Sequence, residues 1–247
     1  MKSFEKVVRI LALYTMDRPS LSISEIQEEL NLPKSTIFRI LNALEKADYI
    51  EKNPDTHRYA LGFNLFRLGS IVQNQMDFRS LAIPIMNKIV KETEETVELN
   101  IIDGLSRICV EKVDSPLDVR NFIRVGERKP LNKGASGKVL MAFLEETEKN
   151  KVIEQLKVQD ESVDLDALLA QLEKIKRDGW CVTRGERVEG SFAVSAPVFG
   201  SNGKMVASLT IAGPIQRLAE NREQDLVTVI KRGAEALSNR LGCFLTS

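Results

Sequence analysis

Residues 32–50 of the chain read LPKSTIFRILNALEKADYI, and this stretch decides the fold of the N-terminal part. After Pro33, apolar residues recur at intervals of three and four, which predicts an amphipathic helix. At about 100° per residue, these side chains share one side of the helix and face a core. They are Ile37, Ile40, Leu41 and Leu44. The opposite side is polar and carries Ser35, Arg39, Asn42 and Lys46.

Two further helices are predicted before this one. The second begins with Ser22 and Glu25, spaced as in a capping box, where each side chain can satisfy a free N–H of the first turn. The break NLP at 31–33 follows, because Pro33 keeps Leu32 out of helical geometry and can start the next helix. The first helix is predicted from an apolar stripe, which comprises Phe4, Val7, Val8, Leu11 and Leu13. Two helices joined by so short a break indicate a helix-turn-helix.

A hairpin is predicted after the third helix. Residues 49–52 and 57–61 favour strands, and the sequence NPDT between them favours a turn in which Pro54 fixes φ at the second position. A hairpin in this position forms a wing, so residues 1–62 are interpreted as a winged helix-turn-helix domain.

The polar side of the third helix is interpreted as a DNA-binding face, because the second helix of a helix-turn-helix lies in the major groove. Arginine suits guanine, asparagine suits adenine, and hydroxyls reach phosphates or bases. The whole chain has 35 basic and 35 acidic residues, but residues 31–44 carry two positive charges and no negative one, and the local charge matters here. The predicted DNA-contacting residues are Lys34, Ser35, Thr36, Arg39, Asn42, Lys46 and, in the wing, Arg58. The alternative is a solvated helix face in a protein-binding winged helix.

Residues 63–78 are predicted to form a linker helix with one apolar edge. The edge consists of Leu61, Leu65, Leu68, Val72 and Met76. Winged-helix proteins usually bind paired half-sites as dimers, so this edge is a candidate dimer seam. Packing within the chain explains the same stripe nearly as well.

Residues 79–247 alternate helices and strands. The predicted strands are 96–103, 106–114, 119–125, 180–184, 192–200 and 204–213. The predicted helices are 81–95, one that follows the small residues of GASGK at 134–138, 165–179 and about 221–241. Six strands, mostly linked by hairpins and surrounded by helices, indicate an α+β sensor-like domain.

The sequence predicts neither catalysis nor a metal or cofactor site. GASGK lacks the phosphate-loop pattern, because Asn132 and Val139 stand where Gly and Ser or Thr are needed. Ser136 and Lys138 could form a nucleophile and its base, but small residues at a helix start, where free N–H groups bind an anion, explain the motif better. The only histidine, His57, lies in the wing, which excludes a histidine-based triad.

Composition favours a two-domain protein of the cytoplasm. The chain has 247 residues, of which 43% are hydrophobic and 28% charged, enough for two cores. Its three cysteines are far apart and are interpreted as buried thiols. It lacks a secretory h-region and any apolar run near the roughly 20 residues of a membrane span, so no membrane contact is expected.

Five stretches, in this order and spacing, resemble IclR-type bacterial transcriptional regulators nearly end to end. They are LPKSTIFRIL, YALGFNLFRLG, ETVELNIIDG, VGERKPLNKGASGKVLMA with its downstream GW, and APVFGSNGKMVASLTIAGP. The resemblance implies a mixed α/β chain of two domains: a winged helix over 1–62, a linker helix over 63–78 and a GAF-like α+β effector domain over 79–247. It also implies homodimers, or tetramers that are dimers of dimers, on near-palindromic double-stranded operators.

Effectors of such proteins are commonly small organic acids, including keto, sugar and aromatic acids. Carried over by position, the resemblance implies an effector pocket formed by Ala135, Ser136, Thr183, Ala193, Thr210 and Ala212. Thr183 and Ala193 stand where some members place an acid and a cysteine, which weakens the case for a two-carbon or three-carbon keto acid. Hydroxyls and backbone N–H groups still suit a carboxylate or a sugar acid, and ordinary sheet packing is the alternative for each residue.

The function expected from the sequence is therefore that of a transcriptional regulator, a repressor of a catabolic operon controlled by a small organic acid. The alternative is a sensor-domain enzyme, or a protein-binding adaptor whose winged helix does not bind DNA.

Overall fold

The structure is a computed structural model that describes residues 3–15, 17–74, 77–159 and 163–243. The chain divides into two compact units, Met1–Met76 and Asp77–Ser247. Each unit has a hydrophobic core of its own.

The first unit contains helices and a small sheet. The helices are α1 (Ser3–Leu11), α2 (Ile23–Leu30), α3 (Lys34–Lys46) and α4 (Phe63–Asn74). The strands are β1 (Ser20–Leu21), β2 (Ile50–Lys52) and β3 (Tyr59–Leu61), which pair antiparallel in the order β1-β3-β2. Strand β1 was not expected from the sequence, since two residues are too few to show an alternation.

The predicted capping box is confirmed at the start of α2. Ser22 N–H donates to Glu25 Oε2 at 2.6 Å, and Glu25 N–H donates to Ser22 Oγ at 3.3 Å. The helix ends at Asn31, which adopts the left-handed conformation with φ of 50°, and α3 follows after Pro33. This break sets α3 against α2 as a helix-turn-helix.

The core of the first unit confirms the predicted face of α3 and part of the predicted stripe of the first helix, since Val7, Leu11 and Leu13 pack against it. Ile37, Ile40 and Leu41 are buried, and Leu44 packs against the same cluster. In α1, however, Phe4 and Val8 are 76% and 50% exposed, whereas Ile10 is fully buried. Ile10 therefore lies on the side of α1 that faces the core, and Phe4 and Val8 lie outside that side.

The predicted wing is confirmed, with strands slightly shorter than expected. Its turn depends on Asn53, whose Oδ1 accepts from the N–H groups of Asp55 and Thr56 at 3.0 and 2.9 Å. The turn closes with His57 in the left-handed conformation, at φ of 55°.

The second unit wraps helices around one sheet. Its helices are α5 (Asp77–Thr93), α6 (Ala135–Ala142), α7 (Glu146–Gln159), α8 (Leu165–Asp178) and α9 (Glu220–Arg240). Its strands are β4 (Thr96–Asp103), β5 (Ser106–Val113), β6 (Arg128–Pro130), β7 (Cys181–Arg184), β8 (Ser191–Phe199) and β9 (Met205–Pro214), and a 3-10 turn covers Ile215–Arg217. All neighbouring strands are antiparallel, in the order β6-β5-β4-β9-β8-β7.

Three expectations for this part of the chain need correction. The predicted strand 119–125 is wrong: this segment is irregular, because the Asn121 side chain turns inward while Val119 and Phe122 are exposed. The short strand β6 takes its place in the sheet. Helix α7 was not predicted, since its sequence is mostly polar. Within the predicted linker helix 63–78, α4 is described to Asn74 and α5 begins at Asp77, so Met76 lies outside the described residues, as does the side chain of Val72.

The two faces of the six-stranded sheet differ in polarity, because successive side chains of a strand point to opposite faces. One face is apolar and packs against α5 and α9, so closely that a Cβ on Gly233 of α9 would lie 2.6 Å from Ile89 Cδ1 and 3.3 Å from Leu209 Cδ2. The other face lies toward α6 and is polar although buried. Its buried polar residues are Thr96, Glu98, Asn100, Arg107, Thr183, Ser195, Ser208 and Thr210. A buried polar sheet face is where a ligand site is expected.

Candidate DNA-binding surface and effector pocket

Helix α3 presents its predicted polar residues on the side away from the core. Lys34, Ser35, Arg39 and Lys46 are exposed, and Thr36 and Asn42 are half-buried. Phe38 joins this surface with 52% of its area exposed. We call this set of α3 side chains the recognition face.

The cations of the recognition face have no salt-bridge partner in the part of the chain that the structure describes. Within the described residues, Lys34, Arg39 and Lys46 form no salt bridge, whereas Arg18 pairs with Glu29 at 2.8 Å elsewhere in the same unit. Unpaired cations on an exposed helix face are available to phosphates and base edges.

Arg58, the seventh predicted DNA-contacting residue, lies apart from the recognition face. Its guanidinium donates to Ser20 Oγ at 3.1 Å, to Ser20 O at 2.8 Å and to Glu25 Oε1 at 3.0 Å. These bonds tie β3 to β1 and to the start of α2. The Ser22 N–H, followed by Arg58, lowers the pKa of Glu25 to about 2. Arg58 thus holds the wing in place, and its contact with DNA stays a prediction.

The six predicted effector residues line one cavity of the second unit, which has about 340 Å³ of empty space, open solvent at its mouth included, and about 20 Å³ of room for the centres of water-sized groups. They are Ala135, Ser136, Thr183, Ala193, Thr210 and Ala212. Strand pairing brings four of them together, because Ala193 is opposite both Thr183 and Ala212. Thr210 is opposite Ser195, and their hydroxyl oxygens are 2.9 Å apart.

The start of α6 differs from expectation. Its N–H groups were expected to be free for an anion, but Gly134 N–H donates to Glu186 Oε2 at 3.2 Å and Ala135 N–H donates to Thr183 Oγ1 at 3.1 Å. Glu186 Oε1 in turn accepts from Lys138 Nζ at 2.7 Å. A carboxylate of the chain itself therefore binds part of this helix end, whereas within the described residues the Ser136 and Gly137 N–H groups have no hydrogen-bond partner.

Four polar residues of this region were not singled out from the sequence: Glu98, Arg107, Asn121 and Arg187. Asn121 Nδ2 donates to Glu98 Oε1 at 2.8 Å, and Arg187 Nη2 donates to Asn121 Oδ1 at 3.3 Å. Arg107 Nη1 lies 3.7 Å from Glu98 Oε2. Burial lowers the pKa of Arg107, and the Glu98 carboxylate opposes this effect.

The sequence contains a signal that could have identified part of this cluster. In TVELN the polar residues Thr96, Glu98 and Asn100 alternate with apolar ones, as in a strand with one solvent-exposed face. The predicted sheet is surrounded by helices, so a solvated face is unexpected and the alternation indicates a buried polar cluster. Arg107 shows no such signal, because a single arginine in a short strand is usually solvated.

The chain combines a winged helix, which has an exposed basic recognition face, with a second unit, which has a buried polar cavity. These two features define the class of DNA-binding proteins that carry a ligand-binding unit. Residues 3–54 match the family described as "IclR helix-turn-helix domain", and residues 71–239 match "Bacterial transcriptional regulator IclR C-terminal". The chain belongs to the IclR family of bacterial transcriptional regulators, and it is a DNA-binding transcriptional regulator.

Curated relatives and solved structures agree with this assignment. The chain is 28% identical over 245 residues to the HTH-type transcriptional regulator KipR of Bacillus subtilis, covering 98% of this chain and 97% of KipR. It is 29% identical over 245 residues to the HTH-type transcriptional repressor AllR of Escherichia coli K12, covering 98% and 90%. The crystal structure of the Thermotoga maritima IclR superimposes with a TM-score of 0.73 at 28% identity, covering 98% and 99%.

The proteins of this family are transcriptional regulators rather than enzymes. Among the described residues, no three His, Cys, Asp or Glu side chains come together as metal ligands. None of the described helices has the length and apolar character needed to cross a membrane.

Proposed function

We propose that the chain is a repressor whose affinity for operator DNA is set by a small organic acid. Residues 1–62 bind the double-stranded operator, residues 63–78 link the units, and residues 79–247 bind the acid. The observation that supports this most is the cavity itself: of six positions carried over from the family resemblance, four lie on a buried polar sheet face and two at the start of α6, and all line the same cavity.

The recognition face supplies the DNA contacts of this proposal. Arg39 and Asn42 are suited to base edges, whereas Lys34, Lys46 and the hydroxyls of Ser35 and Thr36 are suited to phosphates. Such contacts release counterions, so binding to random DNA should weaken steeply as salt rises. A salt-independent affinity would favour a winged helix that binds protein instead.

For the acid to regulate, it must bind the DNA-competent and DNA-incompetent states with different affinities, typically by about 1–3 kcal/mol. Reciprocity then requires operator DNA to change the affinity for the acid by the same factor. Calorimetry of the acid with and without operator measures this coupling directly. Equal affinities in the two titrations would mean that the acid does not switch the protein.

Filling the cavity should uncouple the protein from its effector. Ala135 is fully buried and lines the cavity, so Ala135→Leu is expected to occupy the space of the ligand, and Thr210→Phe should act in the same way. The operator affinity of both variants should no longer respond to the acid. Ala170→Leu on the exposed side of α8 is the matched control and should respond normally. Normal effector binding by both cavity variants would place the site elsewhere.

Helix α4 offers a seam for a homodimer, although its exposed edge differs from the predicted stripe. Phe63 and Phe66 are 67% and 66% exposed with ring centroids 5.3 Å apart, and Ile71 is 47% exposed. Leu68 is 38% exposed, whereas Leu65 is half-buried. We propose that this aromatic edge, rather than the stripe through Leu65, pairs with a second copy. The same seam would serve a tetramer built from two dimers.

Replacing the two exposed phenylalanines of α4 should convert the dimer to a monomer. The double variant Phe63→Ser/Phe66→Ser is expected to sediment as a monomer and to bind the operator at least tenfold more weakly. The reason is that a monomer lacks the increase in affinity that a dimer gains by joining two DNA-binding domains, one for each half-site. Arg67→Ser, an exposed change on the same helix, is the control. A double variant that stays dimeric would show that the seam lies elsewhere.

A further inference from the structure

We propose that Arg107, together with Arg187, anchors the carboxylate of the effector, and that the cavity selects acids with a single negative charge. This inference rests on the proposed function, since it deepens the effector site and names the ligand class. It is carried by one unsatisfied buried donor, by the partly occupied start of α6 and by the charge balance of the cavity.

Arg107 is the largest polar side chain buried on the sheet face, with 1% of its surface exposed. Its Nη1 donates to Asn100 Oδ1 and lies 3.7 Å from Glu98 Oε2, but its Nε has no hydrogen-bond partner within the described residues. A buried donor without an acceptor is costly, and such groups in native proteins generally have a ligand, an ion or a water as partner. Because Arg107 lines the cavity, a bound carboxylate can supply the missing acceptor.

The start of α6 is only partly open: within the described residues its Ser136 and Gly137 N–H groups have no hydrogen-bond partner, but the two N–H groups before them are taken. The Gly134 N–H is occupied by Glu186, and the Ala135 N–H by the Thr183 hydroxyl. To bind the Gly134 N–H, an incoming carboxylate would have to displace Glu186, which Lys138 also holds at 2.7 Å. Arg107 and Arg187 are the cations that line the cavity, so the carboxylate is assigned to them.

The charged side chains that line the cavity form salt bridges, with one exception among the described residues. Glu98 faces Arg107 at 3.7 Å, and Glu186 is paired with Lys138 at 2.7 Å. Arg187 also lines the cavity, and within the described residues it forms no salt bridge but donates to the Asn121 amide. Glu127 also interacts with Arg187 but is paired with Lys129 at 2.6 Å, so Arg187 can bind one carboxylate of a ligand. A second carboxylate would lie in the same small cavity as Glu98 and Glu186, where like charges repel.

The opposite wall suits a hydroxyl or carbonyl on the ligand. The Ser136 hydroxyl makes no hydrogen bond with the described residues, and the Thr183 hydroxyl accepts from Ala135 N–H while its own proton remains available. Both residues line the cavity. The favoured class is a hydroxy or keto monocarboxylate.

The test measures binding to the full chain by calorimetry, supported by thermal shift. The probes are the monocarboxylates gluconate, glycerate, pyruvate and 4-hydroxybenzoate, the dicarboxylates glucarate and tartronate, and neutral sorbitol. At least one monocarboxylate should bind, its dicarboxylate counterpart should bind at least tenfold more weakly, and sorbitol should not bind. A panel without any binding monocarboxylate, or one led by a dicarboxylate or sorbitol, would overturn the inference.

Three variants separate anchoring from structural support. Glu98→Gln keeps Arg107, so it should retain the monocarboxylate and lose discrimination against the dicarboxylate. The double variant Glu98→Gln/Arg107→Met removes the pair without stranding a buried charge, and it should lose at least tenfold in monocarboxylate affinity relative to Glu98→Gln. Arg187→Gln, on a half-buried side chain, should weaken binding about tenfold and leave the melting temperature of the free protein unchanged.

The outcomes distinguish this inference from the proposed function. A double variant that binds the acid as tightly as Glu98→Gln would refute the anchor while leaving the regulator proposal intact. Conversely, arginine-dependent binding of an acid that has no effect on operator affinity would support the anchor and refute the regulatory role of the acid.

Discussion

Replacing Glu95 by alanine is expected to lower the free energy of unfolding of the second unit by about 3–5 kcal/mol, because the change breaks a buried ion pair from one side. Glu95 is fully buried at the start of β4. Its carboxylate accepts from Arg217 Nε at 2.7 Å and Nη2 at 2.5 Å, and from Arg222 Nη2 at 3.1 Å. The cluster joins the sheet to the 3-10 turn and to α9.

The sequence around this carboxylate is adapted to it. A Cβ on Gly213 of β9 would lie 2.3 Å from Glu95 Oε2, so only glycine leaves room for the carboxylate. Loss of Glu95 would therefore leave both a cavity and two arginines without their acceptor.

Urea unfolding of the full chain measures this effect, with Glu92→Ala as a matched control. Glu92 accepts from Arg232 at 2.5 Å, but the two side chains are 41% and 56% exposed. An exposed pair of this kind contributes about 0–1 kcal/mol. Comparable losses for the two variants would show that burial is not what makes the Glu95 cluster important.

Replacing Arg39 by alanine is expected to cost about 1–3 kcal/mol of specific operator binding, or roughly 5-fold to 150-fold in affinity, and to relax the preference at one operator position. The side chain is exposed at the centre of the recognition face and forms no salt bridge within the described residues, so little folding stability should be lost. The physical reason is that a guanidinium can bind guanine O6 and N7 together, which alanine cannot do.

The measurement is fluorescence anisotropy on an operator defined by footprinting and on its single-base variants. Arg18→Ala removes an arginine of the same unit that pairs with Glu29, and it should change affinity little. Lys46→Ala should weaken all sequences alike and reduce the salt dependence, as expected for a phosphate contact. Unchanged affinity and unchanged base preference in Arg39→Ala would remove Arg39 from the base-reading set.

Local patterns sufficed for much of the fold. The capping box at Ser22 and Glu25 and the apolar face of α3 involve residues a few positions apart, so periodicity and capping chemistry report them directly. The strands 96–103 and 192–200 were recognisable because each is a run of strand-forming residues bounded by turn signals. By contrast, the predicted strand 119–125 is wrong: this segment pairs with no strand of the described sheet, and its Asn121 donates to Glu98, a residue more than twenty positions earlier.

The sequence by itself determined a winged helix with a basic recognition face and a second α+β unit, and the family resemblance assigned candidate effector residues to its strands and to the start of α6. Only the tertiary structure decided that Glu186 occupies the start of α6, that Arg107 retains an unpaired Nε and that Phe63 and Phe66 form an exposed edge. The physical reason is how far apart in the sequence the interacting residues are. Helical and strand periodicities encode which way neighbouring side chains point, whereas Gly134 and Glu186 meet across 52 positions, and which groups are left unsatisfied depends on how distant elements pack.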